Sequence, residues 1–360
     1  MIETEKIYLI VLTIIMFFII IIILNDSINC KKINTEKYES QNRKILILNT
    51  GGNMAKIYTK SGFIHQPGFL SEYLHKMTEN QKEIPNYDIS EYTQVDSNNA
   101  KPSDWLKIAI NITKEYQNYD SFIVIHPIEL IPYTASALSF MLENLKKPII
   151  VTGSTSSIDQ LDDTSTSSLF LSLLVATKYS IPEVIICYRN QILRGCRTTY
   201  SNGMLFSPAF PPLGIQNKTT FDINEKIILK PTDEMFKLTP INNNLNIILV
   251  KIFPSISSKY LLSLTKSYKK IHGIILETNG KIPIEKSFID ALVQIMENGT
   301  IVLQTSSLFS HPELMNAGII GTMDMTIETA LTKLYFLLTN VNRGMISQLI
   351  QTNMRGEISS

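Results

Sequence analysis

Cysteine is scarce in this chain of 360 residues: only Cys30, Cys187 and Cys196 are present. Three cysteines without close spacing exclude a disulfide framework and a thiolate metal cage, and they suit a reducing compartment. Net charge is equally scarce. The 33 basic and 32 acidic side chains leave +1, so no overall field draws nucleic acid or strongly acidic partners. The five histidines, His65, His75, His126, His272 and His311, follow no metal-ligand or Ser-His-Asp pattern, and they read as structural or exposed. No phosphate-binding glycine loop occurs. The single tryptophan, Trp105, sits at a helix start and reads as a packing residue. What is plentiful is apolar: 44% of the chain is hydrophobic, enough for one large or two medium globular domains.

The apolar residues are most concentrated between Ile7 and Leu24, an uninterrupted run that would span about 27 Å as a helix, close to a bilayer core. A secretory signal peptide is the competing reading, but its start should be basic and its apolar region shorter. Here the flank carries Glu3, Glu5 and Lys6. A retained N-terminal membrane anchor over residues 1–24 and a polar tether over 25–43 are therefore expected. Lys31, Lys32, Lys37, Arg43 and Lys44 after the run favour a single-pass protein with a cytosolic globular part, with secretion as the alternative. Cys30 lies where palmitoylation occurs, although an unmodified thiol is commoner.

Beyond the tether, short β-branched runs alternate with helical patterns, the signature of an α/β layered fold. Strands are expected at 44–50, 121–127, 148–154 and 182–188. Helices are expected from Asp104 to Tyr119 and from Thr134 to Leu145, where apolar residues recur every three or four positions. A second set, NIILVKIFP, HGIILETNG and TIVLQTS with helices near 259–268 and 287–298, follows a polar stretch. The chain thus divides into an N-terminal domain over 44–230 and a smaller C-terminal domain over 245–360, each built on a parallel sheet. Ligands of such sheets collect at the carboxyl ends of the strands. The first of these ends is Thr50-Gly51-Gly52-Asn53, where glycines let backbone approach a ligand or simply make a tight turn.

The segment from Ser121 to Ser154, with YTASALSFMLENL followed by KKPIIVTGS, resembles the L-asparaginase family, in particular its cytosolic bacterial-type branch. So do EYTQVDSNNAKPSDW (Glu91 to Trp105), RGCRTT (Arg194 to Thr199), SPAFPPL (Ser207 to Leu213), GTMDMTIETALTKL (Gly321 to Leu334) and NMRGE (Asn353 to Glu357). The resemblance covers about residues 44 to 357. It implies a two-domain α/β fold, larger N-terminal and smaller C-terminal, that hydrolyses the side-chain amide of L-asparagine through an acyl-enzyme on a threonine, with no metal or organic cofactor.

The catalytic positions depart from that family's pattern. Its first signature is Thr-Gly-Gly-Thr-Ile with the second threonine as nucleophile, and this chain has Asn53 there, whose delocalised amide nitrogen is not nucleophilic. The second signature, His-Gly-Thr-Asp-Thr-Met, corresponds to His126-Pro127-Ile128-Glu129-Leu130-Ile131. Ile128 removes a hydroxyl, and Glu129 keeps a carboxylate that is one methylene longer. The lysine after Arg-Thr-Thr corresponds to Tyr200. On the ligand side, Thr50, Ser97, Asn98 and Glu129 match or neighbour substrate-contacting positions, although Ser97 also suits a turn or helix cap.

Two segments are shorter than the resemblance implies, Thr278 to Pro283 and Thr305 to Asn316, both near the family's subunit contacts, so a homo-oligomer stays open. The expectation is an asparaginase-like pseudoenzyme with a small amino-acid pocket for L-asparagine or L-aspartate. The alternative is an active amidohydrolase in which Glu129 serves as base, Tyr200 as relay and another hydroxyl, among Thr50, Ser97, Thr198 and Thr199, as nucleophile.

Overall fold

A computed structural model describes residues 43–79, 86–91, 100–160, 163–217, 220–268, 270–278, 282–305 and 311–359, all within one compact unit, Gln41–Ser360. Among the described residues no helix is long and apolar enough to cross a membrane. The expected anchor from Ile7 to Leu24, its tether up to residue 42, Cys30, Ser97 and Asn98 lie outside the described residues.

In chain order the elements that carry the fold are β1 (Ile45–Asn49), α1 (Phe69–Thr78), β2 (Tyr87–Glu91), α2 (Pro102–Glu115), β3 (Ser121–Ile125), α3 (Ile131–Met141), β4 (Ile149–Thr152), α4 (Asp163–Lys178), β5 (Val184–Tyr188), β6 (Gln191–Arg194), β7 (Thr199–Ser201), β8 (Met204–Phe206), β9 (Gly214–Asn217) and β10 (Thr220–Ile223). There follow β11 (Ile247–Lys251), α5 (Ser258–Ser267), β12 (Gly273–Glu277), α6 (Lys286–Glu297), β13 (Ile301–Thr305), α7 (Pro312–Asn316), β14 (Ile320–Gly321), α8 (Ile327–Asn340) and α9 (Arg343–Ile350).

The first sheet has the order β10-β9-β6-β5-β4-β3-β1-β2. Its strands from β2 through β5 run parallel, whereas β6, β9 and β10 extend it by antiparallel pairing. That antiparallel edge differs from the all-parallel expectation. The chain reverses at once through Arg189 and Asn190, Arg189 taking a left-handed φ of 55°, so β6 returns beside β5 without a crossover. The second sheet, β11-β12-β13-β14, is parallel throughout.

The central parallel strands β1, β3, β4 and β5 are buried along their whole length and mostly apolar because helices cover both faces, whereas the edge strand β2 (YDISE) is only partly buried. Ile45 and Ile47 face the side packed by α1 and α4, and Leu46 and Leu48 face the side packed by α2 and α3. Helix α3 is buried all round except at Tyr133, since it lies between the first sheet and α8. Its small residues let α8 approach closely: Ser136 Oγ lies 3.0 Å from Thr329 Oγ1. Helix α3 begins three residues earlier and stops four earlier than the sequence pattern suggests. Pro132 is tolerated in its first turn, and Leu142 and Glu143 leave the helix to pair with Lys237 and Leu238.

Candidate functional site at the strand ends

β1, β3 and β4 lie side by side, so their carboxyl ends meet. Thr50 N donates to Ile125 O at 3.0 Å, and His126 N donates to Thr152 O at 2.9 Å, extending the ladder one residue beyond each strand. Past this point the chains are packed too closely for side chains. Gly52 has φ +93°, and a Cβ there would sit 2.8 Å from the backbone of His126 and Pro127; a Cβ on Gly153 would collide with His126 O. The glycines therefore hold three strand ends against one another. A close approach of backbone to ligand is not needed to explain them.

Thr50 is fully buried. Its Oγ1 donates to Ile125 O at 2.7 Å and lies 2.7 Å from His126 Nδ1, while His126 Nε2 lies 2.8 Å from Thr134 Oγ1. A hydroxyl has one proton, so if Thr50 gives it to Ile125 O, the imidazole must donate from Nδ1 and accept from Thr134 at Nε2. Burial holds His126 neutral, its pKa pushed down to about 3. This chain of hydrogen bonds closes Thr50 off as a substitute nucleophile.

Asn53 opens a short 3-10 turn and is half-buried. Its Nδ2 donates to Thr155 O at 3.0 Å, and next to it Ile158 N donates to Met54 O at 3.3 Å. The segment 53–56 is thereby laced to 155–158, with Ser157 Oγ also donating to Lys56 O. Ser154 and Ser165, at the start of α4, are joined at 2.7 Å.

After β3, Pro127 begins the turn Ile128–Leu130. Ile128 is packed in the core shared with α3, whereas Glu129 is exposed. Tyr200, on β7, is half-buried, and burial raises its phenol above the ordinary tyrosine range, with the charges of Glu129 and Tyr188 adding to that rise. The structure thus brings Glu129 within electrostatic reach of Tyr200. Of the other candidate hydroxyls, Thr198 is buried and donates to Arg194 O at 2.9 Å. Thr199 differs: its Oγ1 donates to Glu328 Oε1 at 2.7 Å, a hydroxyl with a carboxylate beside it. Glu328 was missed by sequence reasoning because it lies 129 positions away on α8. Arg197 is committed elsewhere, bound to Gly356 O at 2.8 Å, Asp324 at 2.7 Å and Ser359 at 3.1 Å. Among the described residues no group of His, Cys, Asp and Glu is placed to hold a metal ion.

These features define an open-sheet α/β protein whose candidate site lies at the carboxyl ends of β1, β3 and β4, with Thr199 and Tyr200 contributed by β7. The family model for asparaginase, N-terminal, matches residues 44–229. L-asparaginase 1 of Escherichia coli strain K12 is 33% identical over 338 residues, 89% of this chain and 99% of that protein. The solved L-asparaginase I of Vibrio cholerae superposes with a TM-score of 0.80 at 30% identity, covering 89% of this chain and 100% of the other. The thermostable L-asparaginase of Thermococcus kodakarensis shares the fold, with a TM-score of 0.77 at 22% identity over 88% of this chain and 99% of that one. The chain belongs to the asparaginase family.

Proposed function

We propose that this asparaginase-family chain does not carry out the hydrolysis for which its relatives are named, and that it acts as a binding module for a small amino acid such as L-asparagine or L-aspartate. The observation that carries this reading is the engagement of Asn53. At the position of the family's nucleophilic threonine stands a non-nucleophilic amide, and its Nδ2 is tied to Thr155 O at 3.0 Å. Two further features support it. Ile128 is committed to the core, and Tyr200 supplies a phenol in place of a fixed positive charge. The proposed setting is a single-pass membrane protein with its globular part on the cytosolic side, which rests on the run from Ile7 to Leu24 and the basic residues after it.

A second reading is favoured by one contact, the 2.7 Å hydrogen bond from Thr199 to Glu328. In it Thr199 is the relocated nucleophile, a carboxylate at Glu328 or Glu129 its base and Tyr200 a proton relay. Ammonia release from the full-length protein in detergent, with L-asparagine and L-glutamine, separates the two. No turnover above background is expected. Turnover that disappears on Glu129→Gln or Thr199→Val would establish the second reading and sink the first. A thermal-shift titration then tests binding: stabilisation by millimolar aspartate or asparagine is expected, and its absence would leave the chain without an amino-acid pocket.

A further inference from the structure

At the opposite end of α3 from Glu129, a cavity of about 190 Å³ opens between that helix, the start of β5 and the C-terminal segment. Asn53, Glu129 and Tyr200 do not line it. One side is apolar, formed by Leu142, Leu145 and Val184, each buried in the core. The other side is built on charge. Arg194 and Glu183 are both nearly inaccessible and satisfy one another at 2.6 and 3.0 Å, and Glu183 also accepts from Leu229 N at 2.6 Å. The acidic member of the wall is thus spent. Arg355 donates to Ser139 O at 3.1 Å, Met354 O at 3.0 Å and Glu143 at 3.0 Å, three of the five N–H groups of a guanidinium, which leaves donors to spare. Lys230, at the rim, is exposed and makes no ion pair among the described residues.

We propose that this cavity is a binding site for a small amphipathic carboxylate, with the anionic head held by Lys230 and the spare donors of Arg355 and a hydrocarbon tail against Leu142, Leu145 and Val184. The size agrees with such a guest. A dry cavity of about 150 Å³ admits benzene, so this one has room for a tail of roughly five carbons. The chemistry favours the head: two basic side chains with donors to spare attract an anion where a neutral molecule gains no such pairing, and a compact, fully hydrated anion would leave the apolar wall empty.

The test is a thermal titration of the full-length protein in detergent, followed by the fluorescence of Trp105, the single tryptophan, which is 9% exposed. The probes are 4-methylpentanoate, its neutral amide and inorganic phosphate. 4-Methylpentanoate is expected to raise the midpoint saturably, by about 5 °C at a hundredfold excess over its Kd, with neither the amide nor phosphate doing so. Lys230→Glu should abolish the shift and Lys230→Arg should keep it. Because the side chain is exposed, neither change should alter the midpoint without ligand. The proposal is overturned if 4-methylpentanoate gives no shift, if phosphate or the amide matches it, or if Lys230→Glu responds like the parent protein. None of these outcomes bears on hydrolysis at the strand ends.

Discussion

Thr50 Oγ1 lies 2.7 Å from His126 Nδ1, in a site from which water is excluded and where Thr134 occupies the other ring nitrogen at 2.8 Å. The imidazole is neutral in the fold, with its pKa pushed down to about 3, while in the unfolded chain it returns to about 6.5. Between these values the unfolded chain binds a proton that the folded one refuses. The stability from His126 is therefore fully present above pH about 6.5 and lost as pH falls towards about 3, at up to roughly 1.4 kcal/mol per pH unit. Equilibrium unfolding between pH 7.5 and 4.5 should lose stability steeply, and His126→Gln should flatten the slope by about one proton. An unchanged slope would mean that His126 is already protonated or exposed.

On the proposed reading, Asn53→Thr introduces a hydroxyl without the partners that would activate it. Catalytic groups of this kind act as a unit, so one restored member gains little while the rest are missing. In the variant Ile128 remains core hydrocarbon and Tyr200 remains an uncharged phenol, so on that reading the companion groups stay absent. Ammonia release by Asn53→Thr is expected to stay at the parent level, and stability should fall by about 1 kcal/mol as the bond to Thr155 is lost. A large gain in turnover would show that the remaining machinery is intact.

The parallel strands were legible because burial on both faces makes them continuous apolar runs, as in ILILN of β1 and SFIVI of β3. Asn53, Ile128 and Tyr200, which the resemblance aligns with the family's catalytic positions, could be picked out from the motifs alone. What could not be read depends on partners distant in sequence. The early end of α3 follows from Leu142 pairing with Leu238, and Thr199 meets its carboxylate only because α8 packs on α3. His126 carries no local sign that Thr50 and Thr134 will occupy both its nitrogens. The antiparallel strand β6 was hidden because Arg189-Asn190 lacks the glycine that usually marks so tight a turn.

Substituting the strand-end glycines should be costly for two separable reasons. Gly52→Ala meets backbone at 2.8 Å and also requires a side chain at φ +93°. Gly153→Ala meets His126 O without a positive φ. Overpacking alone costs typically 1–3 kcal/mol, and an unfavourable backbone conformation adds about 1–3 kcal/mol. Denaturant titration should rank Gly52→Ala as at least as damaging as Gly153→Ala, both well beyond Gly203→Ala, where a Cβ meets nothing within 4 Å but the strain of φ +77° remains. Equal, small effects at all three would show that the strand ends can part.

Lys333 and Glu357 form a fully buried ion pair, 2.5 Å apart with both side chains inaccessible to solvent. The ammonium has three protons, and three acceptors meet them: Glu357, Ile350 O at 3.0 Å and Thr352 O at 2.7 Å. Glu357 in turn accepts from Met354 N and Arg355 N, which fixes the turn that leads the C-terminal segment back to β6. Burial still pulls the Lys333 pKa down, since Glu357 offsets the lost hydration only in part. Removing one partner leaves the other charged and dry. Lys333→Met should therefore cost about 3–5 kcal/mol, whereas Lys333→Met combined with Glu357→Gln should recover part of that loss because no unpaired charge remains. Urea midpoints of the two single variants and the double variant test this. If the losses simply add, the ion pair contributes no coupling, and the segment is held by its backbone hydrogen bonds alone.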